Sequence, residues 1–555
     1  MEEDKLGRRI ETCRYCGSRN LYVFLDLGFA PPSDRLISKE ELDEPEILFP
    51  LKVAQCRDCG LTQLTYAVNP KYLYGEKYLY EYSITKTGKE HYSQMADLIC
   101  KRFNLEKNSL VIDVGSNVGV LLESFKKNNM RILGIDPSPR IVSIANDRGI
   151  ETWQRLMDFD TSKEIVSIKG RAKVIVGTNI FAHIDNKESF MKGMDILLED
   201  DGILVVEAPY LVDLLENLEY DTIYLEHLEY LSVKPLKRFF EKWGMDLFDV
   251  ERYEIHGKSI RIFVCRKGKR KILESVKKLI DLEEQMGVYT QKNLDEFALK
   301  VKQHKEKLTS LLEKIKNDGK RIIGISAPAK GNTLLNYCKI GADLIDYMTE
   351  KSQIKKGYFT PGMHLLIKGE DEAKNDNPDY GIIFAWNFAK EIMKNNQDFL
   401  NRGGKFIIPI PNPRIVEKID EDSEVIKIKP VHEDERGKII DIVDGEEFVH
   451  AGIVTFKPGA IRGNHYHKQT EQINYILKGK LKCLSKDLSK KGSKVKEVIL
   501  VEGDLTTNPK FEWHSQEGIE DSEMLFFTKK NRGEGGFEDD VFRVPRNEID
   551  DFELP

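Results

Sequence analysis

Two Cys-x-x-Cys-Gly knuckles, Cys13-Arg-Tyr-Cys16-Gly17 and Cys56-Arg-Asp-Cys59-Gly60, set four thiols at metal-ligand spacing. The glycine lets each turn close tightly, so two thiolates face one ion and four sulfurs complete a tetrahedral zinc site. With Cys13, Cys16, Cys56 and Cys59 as ligands no position stays open, and the metal is expected to be structural; two unrelated redox or core pairs are the competing reading. A second constellation runs from Leu110 to Gly119, Leu-Val-Ile-Asp-Val-Gly-Ser-Asn-Val-Gly. Gly115 and Gly119 allow a close backbone approach to a ligand, with Asp113, Ser116 and Asn117 beside them. Asp136, 23 residues beyond Asp113, ends another apolar run where a carboxylate can accept from two ribose hydroxyls. A nucleoside cofactor is implied. Asn117 stands at the middle glycine of the dinucleotide fingerprint and Asp113 is an extra acid, so S-adenosylmethionine fits better than NAD; a plain strand-turn-helix is the bland alternative.

Further chemistry sits in Asn179-Ile-Phe-Ala-His183-Ile-Asp185 and in Tyr224-Leu-Glu226-His227. A carboxylate near an imidazole fixes its tautomer and supports its charged form, which favours Glu226 and His227 as an acid-base pair; a lone histidine otherwise reads as a satisfied structural residue. Lys330-Gly331-Asn332 follows a strand and opens a helix, a place that suits a pyrophosphate. Near the C-terminus, Arg462-Gly-Asn-His465-Tyr-His467-Lys-Gln-Thr-Glu471-Gln472 and, downstream, His514 offer three histidines and an acid. Metal binding, acid-base work and a satisfied polar interior all remain open there.

These residues need elements to hold them. From about 85 to 265 apolar strands (110–114, 131–136, 174–178, 202–207 and a closing strand near 259–265) alternate with helices, the rhythm of a doubly wound sheet whose ligands gather at strand carboxyl ends. His183 and His227 fall at such ends. The Tyr-rich stretch from Tyr72 to Tyr82 bridges into this domain and reads by itself as packing. Residues 268–318 predict long helices with a solvated charged face, and 321–336, 379–387 and 404–409 a second α/β unit with a candidate nucleotide site. Residues 411–429 read as a linker, and beyond it short strands broken by turns predict an all-β sandwich or barrel. The fold class is α/β multidomain with a C-terminal all-β domain: 1–75, 76–267, 268–415 and 428–555.

At 555 residues the chain exceeds one core. Its net charge of -7 and lack of a basic patch argue against a nucleic-acid partner. No signal peptide and no apolar run of roughly 18 residues is found, so no membrane partner and a cytoplasmic location are expected. The scattered Cys100, Cys265, Cys338 and Cys483 suit a reducing compartment. Abundant Lys, Glu and Ile hint at a warm-growing source.

Residues 13 to about 410 resemble the C-methyltransferases of nucleotide-linked 4-keto-deoxysugars in both knuckles, Gly115-Ser116-Asn117, Asn179-x-Phe181-Ala182-His183, Tyr224-x-Glu226-His227, Ala329 to Asn336, Pro361-Gly362 and Trp386-Asn387. The resemblance implies a zinc-binding domain, a class I S-adenosylmethionine domain with Asp113, Gly115, Ser116, Asn117, Gly119, Asp136 and Asn179 at the cofactor, and a Rossmann-like domain helping to hold the sugar nucleotide through Lys330, Gly331 and Asn332. It implies active-site roles for Tyr78, His183, Tyr224, Glu226 and His227. Val118 stands where that family's cofactor loop carries an acid, and Thr349-Glu350 where an Asp precedes its Pro-Gly segment. Residues 428 to 550 resemble a cupin related to sugar-nucleotide 3,5-epimerases (Asp434-Glu-Arg436-Gly437) and 3,4-ketoisomerases (Arg462-Gly463-x-His465-x-His467 with Gln472). Gln472 replaces the Glu of metal-binding cupins, so acid-base work by His465, with Arg462 and His467 at the substrate, is expected over a metal.

Under these resemblances, His227 oriented by Glu226 takes a proton from C3 of a 4-keto sugar, Tyr224, Tyr78 and His183 steady the enolate, and the cupin epimerises or isomerises the same class of substrate. Two other readings compete: an RNA or protein methyltransferase with a zinc ribbon, and a methyltransferase whose cupin only forms a homodimer or binds ligand.

Overall fold

The computed structural model describes residues 6–74, 86–253, 258–373, 376–417, 426–427, 432–434, 437–439, 448, 450–528 and 540–554. Tyr78 lies outside the described residues. The chain forms two compact units, residues 1–419 and 420–555.

Within the first unit, a seven-stranded sheet has the spatial order Met245–Tyr253, Ser259–Arg266, Leu198–Pro209, Ala172–Thr178, Leu110–Val114, Arg131–Asp136, Thr152–Gln154. Ser259–Arg266 runs antiparallel to both its neighbours, while the pairs from Leu198–Pro209 onward are parallel. The near-continuous burial of these strands follows from their β-branched runs, since helices cover both faces of such a sheet. Two strands of this sheet, Thr152–Gln154 and Met245–Tyr253, are absent from the pattern reading. The first is only three residues long, and in the second a register shift between Leu247 and Asp249 breaks the alternation.

A second sheet orders Ile367–Gly369, Met348–Glu350, Ile322–Ile325, Tyr380–Ile383, Lys405–Ile408 in parallel and adds Arg414–Val416 antiparallel at its edge. The expected linker therefore begins as a sheet strand. Ahead of this unit lie the helices Glu274–Gln285 and Gln291–Asn317. The longer one buries Leu294, Phe297, Val301, His304, Leu308 and Leu312 at helical spacing and leaves its charges to solvent.

The knuckles belong to a four-stranded sheet of Leu21–Ala30, Phe49–Cys56, Thr62–Leu64 and, at its edge, Glu229–Tyr230. The last strand comes from the segment that carries His227, so the cysteine-rich sheet is completed by the methyltransferase sheet's own loop. Among the described residues the second unit holds two five-stranded antiparallel sheets, one with Gln472–Lys478 at its centre and the other with Glu512–Gly518, and the short pair His432–Asp434 and Gly437–Ile439. No helix among the described residues is long and apolar enough to cross a membrane.

Candidate active site

One cavity of about 580 Å³ runs through the first unit, lined in turn by the glycine loop, the histidine segments and the start of the second α/β sheet. Its wall at one end is built from Asp113, Gly115, Ser116, Asn117, Asp136 and Asn179. Gly115, Asn117 and Gly119 all take left-handed φ, at 72°, 48° and 80°. A Cβ on Gly115 would come within 2.8 Å of Ile180, and one on Gly119 within 2.6 Å of Ile150, so both glycines are required twice over. Asp136 accepts from the backbone N–H of Asn117 (3.1 Å) and of Ser138 (3.0 Å), and burial pushes its carboxyl up to about 6. The buried atoms Asp113 Oδ1, Ser116 Oγ and Asn179 Oδ1 have no hydrogen-bond partner among the described residues. Orphaned buried acceptors and a hydroxyl around a glycine loop are what a nucleoside ligand satisfies, and the residues therefore fit S-adenosylmethionine. Val118 is fully buried in the core and does not line the cavity.

At the centre, His227 Nδ1 lies 2.8 Å from the Thr222 carbonyl and Nε2 lies 2.8 Å from the Tyr224 hydroxyl. A carbonyl only accepts, so Nδ1 carries the proton and donates, and Nε2 keeps its lone pair and accepts from Tyr224. Burial pulls this imidazole down to about 4, so at physiological pH it is neutral and its Nε2 lone pair carries no proton. His183 packs edge-on at 4.9 Å between ring centroids, its Nδ1 2.9 Å from the Tyr74 hydroxyl. Its Nε2 is buried without a partner among the described residues, and burial, then His227 and Lys187, hold it neutral. Tyr74 thus enters the site, although its aromatic stretch reads by itself as packing.

Glu226 takes a different place from the one its sequence neighbour suggested. Its Oε1 accepts from the backbone N–H groups of Ser33 (2.9 Å) and Asp34 (3.5 Å), its Oε2 has no partner among the described residues, and His227 is supported by Thr222 instead. Successive residues of an irregular turn point apart, and the segment between the knuckles supplies the partner. That segment also accounts for the 39 residues separating the cysteine pairs: they carry Asp34 to the cavity wall and the Ser33 N–H to Glu226. Burial, then the Asp34 carboxylate, pushes Glu226 up to about 8. A raised carboxyl contributes stability that is full below 4.5 and is lost as pH rises through about 8. Glu226→Gln keeps the acceptor for Ser33 and removes the ionisation. It is expected to be more stable than the parent at pH 8 by on the order of a few kcal/mol and to equal it near pH 4, in urea unfolding at the two pH values.

At the far end, Lys330 lines the cavity from the N-terminus of the helix Ala329–Cys338, its Nζ 4.3 Å above the Trp386 ring. Burial lowers its pKa while Asp221 and Glu219 oppose that shift. Gly331 and Asn332 are not brought to the cavity. A Cβ on Gly331 would press on Phe384 at 3.1 Å, and the Asn332 amide donates to the Ser33 carbonyl at 2.5 Å, holding the Ser33-Asp34 segment down. The loop's Ala327 N–H is taken by Glu350 at 3.0 Å. That closes part of the anion cradle expected there.

The four cysteine sulfurs lie within 4.8 Å of one another, with Cys13 and Cys59 at 3.4 Å and Cys16 and Cys56 at 3.6 Å, and none is in a disulfide. Four thiolates around one zinc stand about 3.8 Å apart, so the cluster fits the ion. Both knuckles close as expected: Cys13 and Cys56 N–H donate to Ser18 and Leu61 carbonyls, with φ of 79° at Gly17 and 88° at Gly60.

In the second unit His465, His467 and His514 converge, their ring nitrogens within 4.8 Å. His467 and His514 donate from Nδ1 to the carbonyls of Asp540 (2.9 Å) and Glu512 (3.2 Å), which leaves each Nε2 its lone pair. Burial, then His467, pulls His465 down to about 4. Gln472 donates to Asn474, and the exposed Arg462 donates from Nε to the Thr455 carbonyl at 3.2 Å.

Comparison with known proteins agrees with this layout. Residues 13–74 match the family model of a zinc binding domain, 89–250 a methyltransferase domain, 254–411 a C-methyltransferase C-terminal domain and 446–544 a cupin. The C-methyltransferase NovU of Streptomyces niveus is 34% identical over 412 residues, 74% of this chain and 97% of that protein. The chain belongs to the C-methyltransferase family. This C-methyltransferase is an S-adenosylmethionine-dependent enzyme with a structural zinc and a C-terminal cupin. A ubiquinone biosynthesis O-methyltransferase of Rhodopseudomonas palustris (strain BisA53) shares 25% identity over 118 residues, 20% of this chain and 46% of that protein. Among solved structures, a dTDP-4-dehydrorhamnose 3,5-epimerase from Sulfolobus tokodaii is 19% identical, covering 23% of this chain and 81% of that chain with a TM-score of 0.20. A 3,4-ketoisomerase from Helicobacter canadensis gives 19% identity, 23% and 93% coverage, and a TM-score of 0.20. The cupin assignment rests on the family model and the two antiparallel sheets.

Proposed function

We propose that the C-methyltransferase acts at C3 of a nucleotide-linked 4-keto-deoxysugar, and that its cupin epimerises or isomerises the same class of keto-sugar, so that the fusion makes consecutive steps toward one branched sugar. The observation carrying the first half is the neutral His227, whose tautomer is set by the Thr222 carbonyl and whose Nε2 lone pair lies in the same cavity as the glycine loop and Lys330. In this reading the domains are those bounded at 1–75, 76–267, 268–415 and 428–555, the enzyme works in the cytoplasm, and two copies pair through the cupin.

A C4 ketone acidifies the proton on C3. His227 Nε2 takes that proton as the Tyr224 hydroxyl gives way, and the Thr222 carbonyl steadies the imidazolium that results. The Nε2 edge of His183, held from its other side by Tyr74, faces the oxygen that gains charge. Glu226, kept protonated by burial and Asp34, adds a donor without adding charge. Bound at the glycine loop, S-adenosylmethionine would supply the electrophilic methyl group, its S–CH3 bond breaking as the C3–CH3 bond forms and S-adenosylhomocysteine leaving. Lys330 and Asn387, both at the cavity wall, suit the diphosphate and nucleoside end of the substrate. In the cupin, His465 removes a proton next to the same ketone and returns it to the other face or to the neighbouring carbon.

The test uses purified full-length protein, S-adenosylmethionine and a panel of nucleotide-linked 4-keto-6-deoxysugars in deuterated water, followed by mass spectrometry and NMR. A gain of one methyl at C3 is expected, with extra deuterium beside the ketone that disappears in His465→Ala. No methyl on any sugar would overturn the substrate reading. A chain lacking residues 428–555 that turns over normally, incorporates the same deuterium and is monomeric would make the cupin an assembly module.

A further inference from the structure

The two residues between the first two cysteines, Arg14 and Tyr15, are turned inward. Arg14 keeps only 5% of its side-chain surface exposed and reaches Asp185 Oδ1 and the Asp185 carbonyl at 2.7 Å each, the Ile184 carbonyl at 3.3 Å and Glu229 Oε1 at 3.1 Å. Tyr15 donates to Glu229 Oε2 at 3.0 Å, and Lys187 bonds the same oxygen at 3.2 Å. Lys187 also donates to the carbonyls of Phe181 (2.5 Å) and Ile184 (3.0 Å).

The targets of this network matter more than its charge. Phe181, Ile184 and Asp185 flank His183 on the turn Phe181–His183, and Glu229 stands two residues after His227. The two histidine segments are also joined to each other and to the cysteine-rich sheet. Leu228 N–H donates to the Ala182 carbonyl, Leu64 N–H to the Leu228 carbonyl, and Arg14 N–H to Gln63 of the strand that pairs with Glu229–Tyr230. A buried ion network stabilises a fold only weakly against an apolar replacement, but it fixes one arrangement among several. Here the arrangement it fixes is the distance between two imidazoles.

We infer that the Cys13–Cys16 knuckle is a positioning element of the catalytic centre: Arg14 and Tyr15, through Asp185 and Glu229, set the spacing of His183 and His227, so that an intact zinc site and a competent active site are coupled. Arg14 and Tyr15 touch no reacting atom and act through the turns they hold. This inference rests on the reading of the two histidines as catalytic groups.

Arg14→Gln and Glu229→Gln remove the charge at similar size, and Tyr15→Phe removes a single hydroxyl. The measurements are zinc bound per chain, S-adenosylmethionine affinity, kcat and KM for the keto-sugar, and the histidine ring signals in long-range proton-nitrogen spectra. Arg14→Gln and Glu229→Gln are expected to keep their zinc and to bind S-adenosylmethionine within threefold of the parent. Their kcat falls about 30- to 100-fold with a smaller change in KM, consistent with roughly 1 Å misplacement of reacting groups. The ring signals of His183 and His227 move, while that of His304, bonded to Tyr220 and the Pro409 carbonyl elsewhere in the unit, stays. Tyr15→Phe shifts the same two signals less, and it decides the matter if the other variants do not fold. Unmoved His183 and His227 signals in a zinc-loaded variant, or a kcat within threefold of the parent, would overturn the inference. The ring signals need no substrate, so a wrong choice of sugar leaves this part of the test standing.

Discussion

His227→Ala is expected to lower kcat for methyl transfer about 10³- to 10⁴-fold, with S-adenosylmethionine binding unchanged within about threefold. The magnitude is that of removing a positioned general base from a proton transfer. It falls at the upper end because the imidazole is neutral, desolvated and held in one tautomer by the Thr222 carbonyl. Tyr224 cannot stand in for it, since its own hydroxyl is the donor to the His227 lone pair. In the donor wall, Asp113 and Asp136 belong to strands of the parallel sheet, Gly115 follows the first of them, and none depends on His227, which is why cofactor affinity should survive. Single-turnover methyl transfer measured by mass spectrometry, with calorimetric titration of the cofactor, separates the two quantities. A loss under tenfold would move the base elsewhere, and Glu226, raised to about 8, would be the next residue to test.

What the sequence disclosed and what it hid divide along the range of the contacts. The glycine loop, its strand and Asp136 are legible because their chemistry is local: Gly115 and Gly119 need left-handed φ, and Leu110–Val114 is a β-branched run. The cysteine knuckles are legible for the same reason, each closing over five residues. Asp34, Ser33 and Tyr74 carry no local signal. Ser33 meets Glu226 across 193 positions and Tyr74 meets His183 across 109, and nothing in Pro-Pro-Ser-Asp or in a row of tyrosines announces a cavity wall. Adjacency misled at Glu226, which neighbours His227 in the chain and turns to the backbone of the Ser33-Asp34 turn in space. At Asn332 the motif was visible but its use was not. The amide that a phosphate loop would offer to a ligand is spent on the Ser33 carbonyl. In each case the missing information is which distant backbone segment arrives, and that is set by the packing of whole sheets.

Cys56→Ser with Cys59→Ser is expected to release the zinc and to cut methyl transfer by more than 10³-fold, while the cofactor still binds within about tenfold. A structural zinc contributes about 10–16 kcal/mol in small domains, comparable with or larger than the whole stability of an ordinary domain at about 5–15 kcal/mol. The cysteine-rich sheet pairs weakly at its edge, since two of its four strands have three residues or fewer. Its loss would free Thr62–Leu64 from Glu229–Tyr230 and withdraw the Ser33 and Asp34 N–H groups from Glu226, so the segment carrying His227 loses its support on two sides. The parallel sheet bearing Asp113 and Asp136 pairs through other strands, which limits the damage to the donor site. Metal analysis, limited proteolysis of the first 74 residues and cofactor titration on one preparation decide it. Full turnover in a zinc-free protein would show that the histidine segments hold their places unaided, and would remove the coupling inferred through Arg14 as well.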